Sequence, residues 1–351
     1  MLIGDGLLQD IPTLIEHHAP ATRYAIITDS TVEKLYGDGL VDTLGGDERC
    51  ALFSFPAGEQ SKTRATWASL TDQLLSARFG RDATVIALGG GVAGDIGGFV
   101  AATYLRGIPH IQVPTSLLAM IDSSVGGKTG VDTPHGKNLV GAFHQPSLVV
   151  TDVATLKTLP ATDFRAGIAE AIKHGAIADS AYLERLCGNR EQLSRQEPEA
   201  LLDLVGRSVA IKAEVVAADE REHGRRAALN FGHTIGHAVE AASSYGVPHG
   251  EAVAIGMLAE ADLGRRMGIT EPRAVDRLRE MLELFQLPVS LREAIGTRQL
   301  LAAIAQDKKT RERTARFTLI EDLGAVARGP SGSWTHPAPD AEIDAVLRSL
   351  Q

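Results

Sequence analysis

Apolar and polar positions change texture near the middle of the chain. In the first half, short β-rich runs alternate with helical stretches. RYAIITD (23–29), CALFSFP (50–56), TVIALGGG (84–91), HIQVPTS (110–116) and SLVVTD (147–152) read as strands, and RATWASLTDQLLSARF (64–79) carries a helical period between two of them. This alternation predicts a mostly parallel sheet covered by helices. Beyond about residue 160 the period is helical almost throughout: DFRAGIAEAIKHGAI, EALLDLVGRSVAIKAEVVAAD, HTIGHAVEAAS, GEAVAIGMLAEADLGRRM and AVDRLREMLELF. The pattern predicts an α/β nucleotide-binding domain over residues 1–158 and an α-helical domain over 159–351. Clefts between such domains are common ligand sites. RGPSGSWTHPAPD near the C-terminus reads as a loop.

The strand-to-helix passage ALGGGVAGDIGGFVAATYL places Gly89, Gly90 and Gly91 where a helix begins. Glycine allows close backbone approach, and a helix N-terminus offers free N–H groups and partial positive charge, so a nucleotide diphosphate fits. The spacing is neither G-x-G-x-x-G nor a P-loop, and a tight turn with glycines for packing accounts for it equally well. Asp95 in the first helical turn favours the helix dipole. FPAGEQSKT (55–63) follows a strand and carries Glu59 and Lys62, an ordinary surface pair unless the carboxylate meets ribose hydroxyls.

PTSLLAMIDSSVGGKTGVDTPHGKNLVGAFHQP (114–146) reads as a long glycine-rich loop dense in polar groups: Asp122, Ser123, Ser124, Lys128, Lys137 and Asn138. Its lysines suit phosphate or carboxylate as mobile point charges. Arg106 could do the same, although a lone arginine is usually surface.

The helical half holds few metal-ligating groups. AGIAEAIKHG offers Glu170 with Lys173 one turn on; NFGHTIGHAVE offers His233 and His237; GVPHGEAVAIG offers His249 and Glu251. A carboxylate with two histidines is a common catalytic metal set. His233 and His237 are four apart and face the same way, so spacing alone allows both, one or neither on the metal. H-x-x-x-H lacks the glutamate of H-E-x-x-H, which disfavours peptide hydrolysis. Lys212, Arg226, Asn230 and Lys308 read singly as solvated surface; together with Lys128 and Lys173 they make a set suited to an anionic substrate.

The chain has 351 residues and a charge of −9 from 44 acidic and 35 basic residues, which argues against a general nucleic-acid binder while leaving a local basic pocket open. Cys50 and Cys187 are too few for a disulfide framework, and a reducing compartment is the simplest expectation. MLIGDGLLQD lacks the pattern of a secretory signal, and no apolar run is long enough to span a membrane.

The runs GGGVAGDIGGFVAATYLRG, DSSVGGKTG, GKNLVGAF, LKTLP, GIAEAIKHG, LNFGHTIGHAVE, HGEAVAIGM and DKK occur in family order over about residues 55–310 and resemble 3-dehydroquinate synthases, members of the sugar phosphate cyclase superfamily. The resemblance implies a cytoplasmic homodimeric lyase of the shikimate pathway that uses NAD and one divalent metal, zinc or cobalt. It implies metal ligands Glu170, His233 and His249. It implies substrate contacts from Asp122, Lys128, Asn138, Lys173, Lys212, Arg226, Asn230, His237 and Lys308, with Arg106 reaching a neighbouring subunit's phosphate site. For NAD it implies Asp29, Glu59, Lys62, Gly90, Gly91, Val92, Asp95, Thr115, Ser116, Lys128, Lys137 and Thr158. It further implies transient oxidation of a secondary alcohol, loss of phosphate, re-reduction and an intramolecular aldol closure, with the substrate's phosphate serving as a base. Sister cyclases that form 2-deoxy-scyllo-inosose or valiolone rings resemble the same glycine loop and metal set but differ at the carboxylate-binding residues; a metal-dependent polyol dehydrogenase shares the two-domain plan. The departures are small: Ser116 where threonine is frequent, Met120 where glutamine is, and TRERTARFTLI in place of a glycine-containing turn.

Overall fold

The computed structural model describes residues 1–46, 48–222, 224–292, 295–307 and 315–350. It separates into two compact units: Met1–Leu159 with Leu201–Gly206, and Pro160–Ala200 with Arg207–Gln351.

The first unit is built on six parallel strands: β1 (Leu2–Gly4), β2 (Tyr24–Asp29), β3 (Cys50–Phe55), β4 (Thr84–Gly89), β5 (His110–Pro114) and β8 (Leu148–Asp152), in the order β1-β8-β5-β4-β2-β3. The five strands read from the sequence are present; β1, only three residues long, carries too short a pattern to register. Side chains alternate between two apolar layers. Ala25, Ile27, Phe53 and Val85 join one, with Leu70 and Leu74 of the Arg64–Ser76 helix. Tyr24, Ile26, Ile86, Ile111 and Val150 join the other, with Ile11 and Ile15. The order reverses between β2 and β4, the kind of switch point at which open α/β sheets take ligands.

The stretch 114–146 differs from its reading as a loop. It contains an antiparallel hairpin, β6 (Lys128–Thr133) with β7 (Gly136–Phe143). The strands pair so closely that a Cβ on Gly141 would overlap the Thr129 carbonyl oxygen, and one on Gly130 would lie 2.6 Å from that of Val140. Glycine is what lets them pair, and glycine is also what hides them from a propensity reading.

The second unit is mainly helical, as expected, with short strand pairs added: Arg316–Phe317 with His336–Pro337, and Ile320–Asp322 with Ala325–Val326. His336–Pro337 therefore interrupts the segment read as a C-terminal loop. Among the described residues, no helix is long and apolar enough to cross a membrane.

His110 opens β5 fully buried, and neither ring nitrogen has a hydrogen-bond partner. Its ring stacks on His144 at 4.9 Å. Burial, reinforced by His144, lowers its pKa from 6.5 to about 3. The unfolded chain therefore binds a proton here that the folded chain refuses, so the contribution to stability is intact above pH 6.5 and is lost as pH falls toward 3. Replacing His110 with Phe should flatten the acid limb of denaturant stability by on the order of 2 kcal/mol near pH ~5. Superposable pH profiles for the parent and His110→Phe proteins would refute this.

Candidate metal and nucleotide sites

In the second unit three helices converge on one carboxylate. Glu170 belongs to the Ala161–Ala178 helix, His233 is the first residue of the His233–Ala242 helix, and His249 is the first of the His249–Arg266 helix. Glycines let these helices meet. A Cβ on Gly250 would overlap Cα of Ala166, and one on Gly256 would overlap the Gly232 carbonyl oxygen. The first contact brings His249 to the Glu170 helix, and the second brings the two histidine helices together.

Glu170 is fully buried. Its Oε1 lies 3.4 Å from His233 Nε2 and 3.3 Å from His249 Nε2, while Lys173 Nζ pairs with Oε2. Oε1, which faces the two rings, makes no well-formed hydrogen bond. The spacing to the rings exceeds that of a charge-assisted hydrogen bond, roughly 2.7–2.9 Å. It matches the separation of about 3.3 Å between two ligands of a tetrahedral ion bound at about 2.0–2.1 Å. One ligand atom from each of the three residues lies within 4.8 Å of the others. The donor set therefore fits a divalent metal.

The surroundings reinforce that geometry. The Phe231 carbonyl lies 3.1 Å from His233 Nδ1, which leaves Nε2 toward Glu170. Glu240 does the same for His249, with its carboxylate 3.3 Å from Nδ1. Burial would raise the Glu170 carboxyl, but Lys173 and His233 outweigh it and hold it well below the usual carboxylate range. Burial would lower His249, but Glu170 and Glu240 together push it up to about 10. A metal must displace that proton to bind.

His237 is not part of the cluster. It is exposed, with its ring 5.2 Å from that of His233 and 6.4 Å from that of His249. The other expected substrate residues of this unit fall into two groups. Lys212 and Arg226 are buried, contrary to the surface reading they receive singly; Arg226 donates to the Glu220 carbonyl at 2.6 Å and lies 3.4 Å from a Glu222 oxygen. Asn230 is exposed at the end of the Arg225–Asn230 turn. Lys308 lies outside the described residues.

In the first unit, most residues expected to hold NAD follow carboxyl ends of the parallel strands: Asp29 ends β2, Glu59 and Lys62 follow β3, Gly90 to Asp95 follow β4, Thr115 and Ser116 follow β5, and Thr158 follows β8. Gly89 is in the left-handed region (φ 146), which glycine alone adopts readily. Gly90 caps the Gly91–Thr103 helix without a side chain, so the first-turn N–H groups face outward. A Cβ on Gly91 would lie tightly against Ser123 Oγ at 3.2 Å, whereas one on Gly90 would meet Ser116 Oγ at an ordinary 3.5 Å. This bare helix end suits a diphosphate. Val92 is half-buried in the first turn, and Lys62 Nζ bonds Asp95 Oδ2 at 2.5 Å. Burial opposes the Lys62 charge, but Asp95 and Glu59 more than offset it and raise its pKa. Asp29 accepts from Thr31 N and Val32 N, and Thr158 Oγ1 meets Tyr36 Oη at 2.6 Å.

Asp122 is half-buried in the Ala119–Ser123 turn, and Lys128, Lys137 and Asn138 are exposed on the hairpin. Arg106 and Asn138 both have left-handed backbone, φ 71 and 55. Non-glycine residues rarely adopt it, and they do so often at functional positions.

Sequence reading missed Glu240 and Glu260. Glu240 is seven residues, about two turns, past His233 in a run already singled out. Glu260 is a lone carboxylate in an apolar helix. It is fully buried, and burial pushes it up to about 8 against the pull of the Ile235, Gly232 and Thr234 N–H groups.

Comparison with known proteins points to one family over most of the chain. The family described as 3-dehydroquinate synthase N-terminal matches residues 52–166, and 3-dehydroquinate synthase C-terminal matches 167–310. A 3-dehydroquinate synthase of Symbiobacterium thermophilum is 46% identical, over 97% of this chain and 94% of its own. One of Methylococcus capsulatus is 47% identical, over 92% and 89%. Among solved structures, a 2-deoxy-scyllo-inosose synthase complexed with carbaglucose-6-phosphate, NAD+ and Co2+ superposes with TM-score 0.92 at 26% identity, over 100% of this chain and 96% of its own. The 2-epi-5-epi-valiolone synthase of Streptomyces hygroscopicus subsp. jinggangensis, with NAD+ and Zn2+ bound, gives 0.88 at 31%, over 99% and 95%. The chain belongs to the 3-dehydroquinate synthase family.

Proposed function

We propose that this protein converts 3-deoxy-D-arabino-heptulosonate 7-phosphate into 3-dehydroquinate and phosphate, in the shikimate pathway, using NAD and zinc or cobalt. The observation that carries this reading is the similarity to 3-dehydroquinate synthases at 46% over 97% of the chain, against 26% and 31% for the cyclases of other ring products.

NAD supplies a hydride acceptor that is restored within each cycle, and the metal supplies a Lewis acid for the substrate oxygens. The domain over 1–158 serves NAD, and that over 159–351 serves the metal and much of the substrate. The bare N-terminus at Gly90, Gly91 and Val92 receives the diphosphate. Asp29, Glu59, Lys62, Asp95, Thr115, Ser116, Lys128, Lys137 and Thr158 orient the rest of the cofactor. Glu170, His233 and His249 hold the metal. Lys173, Lys212, Arg226 and Lys308 offset the substrate's negative charge, and Asp122, Lys128, Asn138, Asn230 and His237 fix its hydroxyl and carboxylate groups. Holding a flexible seven-carbon acid in one pose is the larger part of this work. The substrate's own phosphate serves as the base for the proton abstraction.

The protein acts as a cytoplasmic homodimer, with Arg106 reaching the neighbouring phosphate site. Leu139, Val140 and Phe143, exposed along β7, offer apolar surface to a second copy.

With NAD, Zn2+ or Co2+ and the heptulosonate phosphate, phosphate and dehydroquinate should appear in equal amounts with no net NADH. NADH accumulating without phosphate would point to a polyol dehydrogenase. Turnover of sedoheptulose 7-phosphate or glucose 6-phosphate alone would point to a sister cyclase. The two helix-linked histidines should also separate. His249→Ala should weaken metal binding about 100-fold or more, whereas His237→Ala should keep its metal and lose roughly a hundredfold in kcat. Metal analysis of both purified proteins decides this; metal retained without His249, or lost without His237, would contradict the assignment.

A further inference from the structure

The His233–Ala242 helix starts at Gly232, whose left-handed backbone (φ 80) carries no side chain to cap it. Helices usually satisfy their first N–H groups with a Ser, Asp or Asn at that position. Here the position is closed to them: a Cβ would lie 2.8 Å from Met257 N and 3.0 Å from Val253 O. The cap comes instead from the other helix. Glu260 accepts from Gly232 N at 2.8 Å through one oxygen and from Ile235 N at 3.0 Å through the other.

The two helices run antiparallel in a single register, Gly232 beside Gly256, Gly236 beside Ala252 and Glu240 beside His249. Interlocking side chains normally fix the axial position of one helix on another. Gly232, Gly236 and Gly256 remove them along this line of contact, while Ile235, Val239 and Ile255 pack in the core beside it. The rings of His233 and His249 approach to 5.7 Å across it. A slide of one turn is about 5.4 Å, whereas metal–ligand distances tolerate about 0.2 Å.

We infer that Glu260 is a positioning residue for the metal centre: its carboxylate grips the N–H groups on either side of His233 and fixes where along the His249 helix that ligand stands. This rests on the reading of Glu170, His233 and His249 as the metal set. Glu260 is fully buried and its hydrogen bonds are to backbone N–H groups of the other helix, so it ties the start of the His233 helix to a fixed point on the His249 helix.

The test uses Co2+ added to metal-free protein, followed by chelator competition and by the visible absorption of the bound ion. Glu260→Gln keeps the size of the side chain but turns one acceptor into a donor facing an N–H. It should bind Co2+ about tenfold or more weakly and shift the absorption band. Val239→Ala is the control. Val239 is buried in the core on the same helix and is neither cap nor ligand. It should lower the denaturation midpoint while leaving the Co2+ band unchanged and affinity within about threefold, well inside the outer-shell effect. If Glu260→Gln does not fold, Glu260→Asp, one methylene short with both acceptors kept, is judged on the same two readouts. Parent-like affinity and spectrum in the Glu260 variant, or equal weakening in Val239→Ala, would overturn the inference alone. A parent protein that takes up no Co2+ overturns the metal reading itself.

Discussion

A carboxylate with no access to water must be compensated by what surrounds it, and Glu170 sets that demand for the helical unit. Lys173 meets one oxygen from the same helix, while His233 and His249 face the other from two further helices. The rings leave the second oxygen without a well-formed hydrogen bond. The arrangement is poor as a neutral hydrogen-bonded core and well suited to a cation, so the local electrostatics and the ligand geometry favour the same occupant. The folding of this region is thereby tied to the site it builds.

Glycine serves that constraint in two ways. At Gly250 and Gly256 its missing side chain lets helix backbones come close enough for short side chains to converge. At Gly89 its conformational freedom turns the chain from strand into helix and leaves a bare N-terminus. Both uses carry a cost in chain entropy and in packing detail. The structure offsets it locally with buried polar groups: Gln112 donates to the Gly94 carbonyl at 3.1 Å, Glu260 caps Gly232, and Glu240 faces His249.

Five of the six strands of the sheet were legible because their apolar runs have few other readings, and the alternation with helices fixed their parallel sense. The hairpin within 114–146 was not, since glycine, lysine, asparagine and aspartate interrupt its apolar positions and its strands are held by close backbone pairing. The metal candidates were legible as residue types, but the choice between His233 and His237 was not. Spacing of four places both on one face; what separates them is that the helix begins at His233, whose Nδ1 is then taken by the Phe231 carbonyl. The burial of Lys212 and Arg226 was equally hidden, because composition counts a charge without locating it. Glu260 announces itself only as an acid in an apolar run, and its partner lies in another helix.

The same distinction between count and location resolves the apparent conflict between a net charge of −9 and an anionic substrate. The acidic excess is spread over a surface where water and salt screen it within about 8–10 Å. Lys173, Lys212 and Arg226 are at most 6% exposed, where screening is weak and their charges act at short range. Structures of sulfoacetaldehyde reductase and maleylacetate reductase share this fold at 14% and 15% identity. Fold therefore does not select the chemistry; the side chains it carries do.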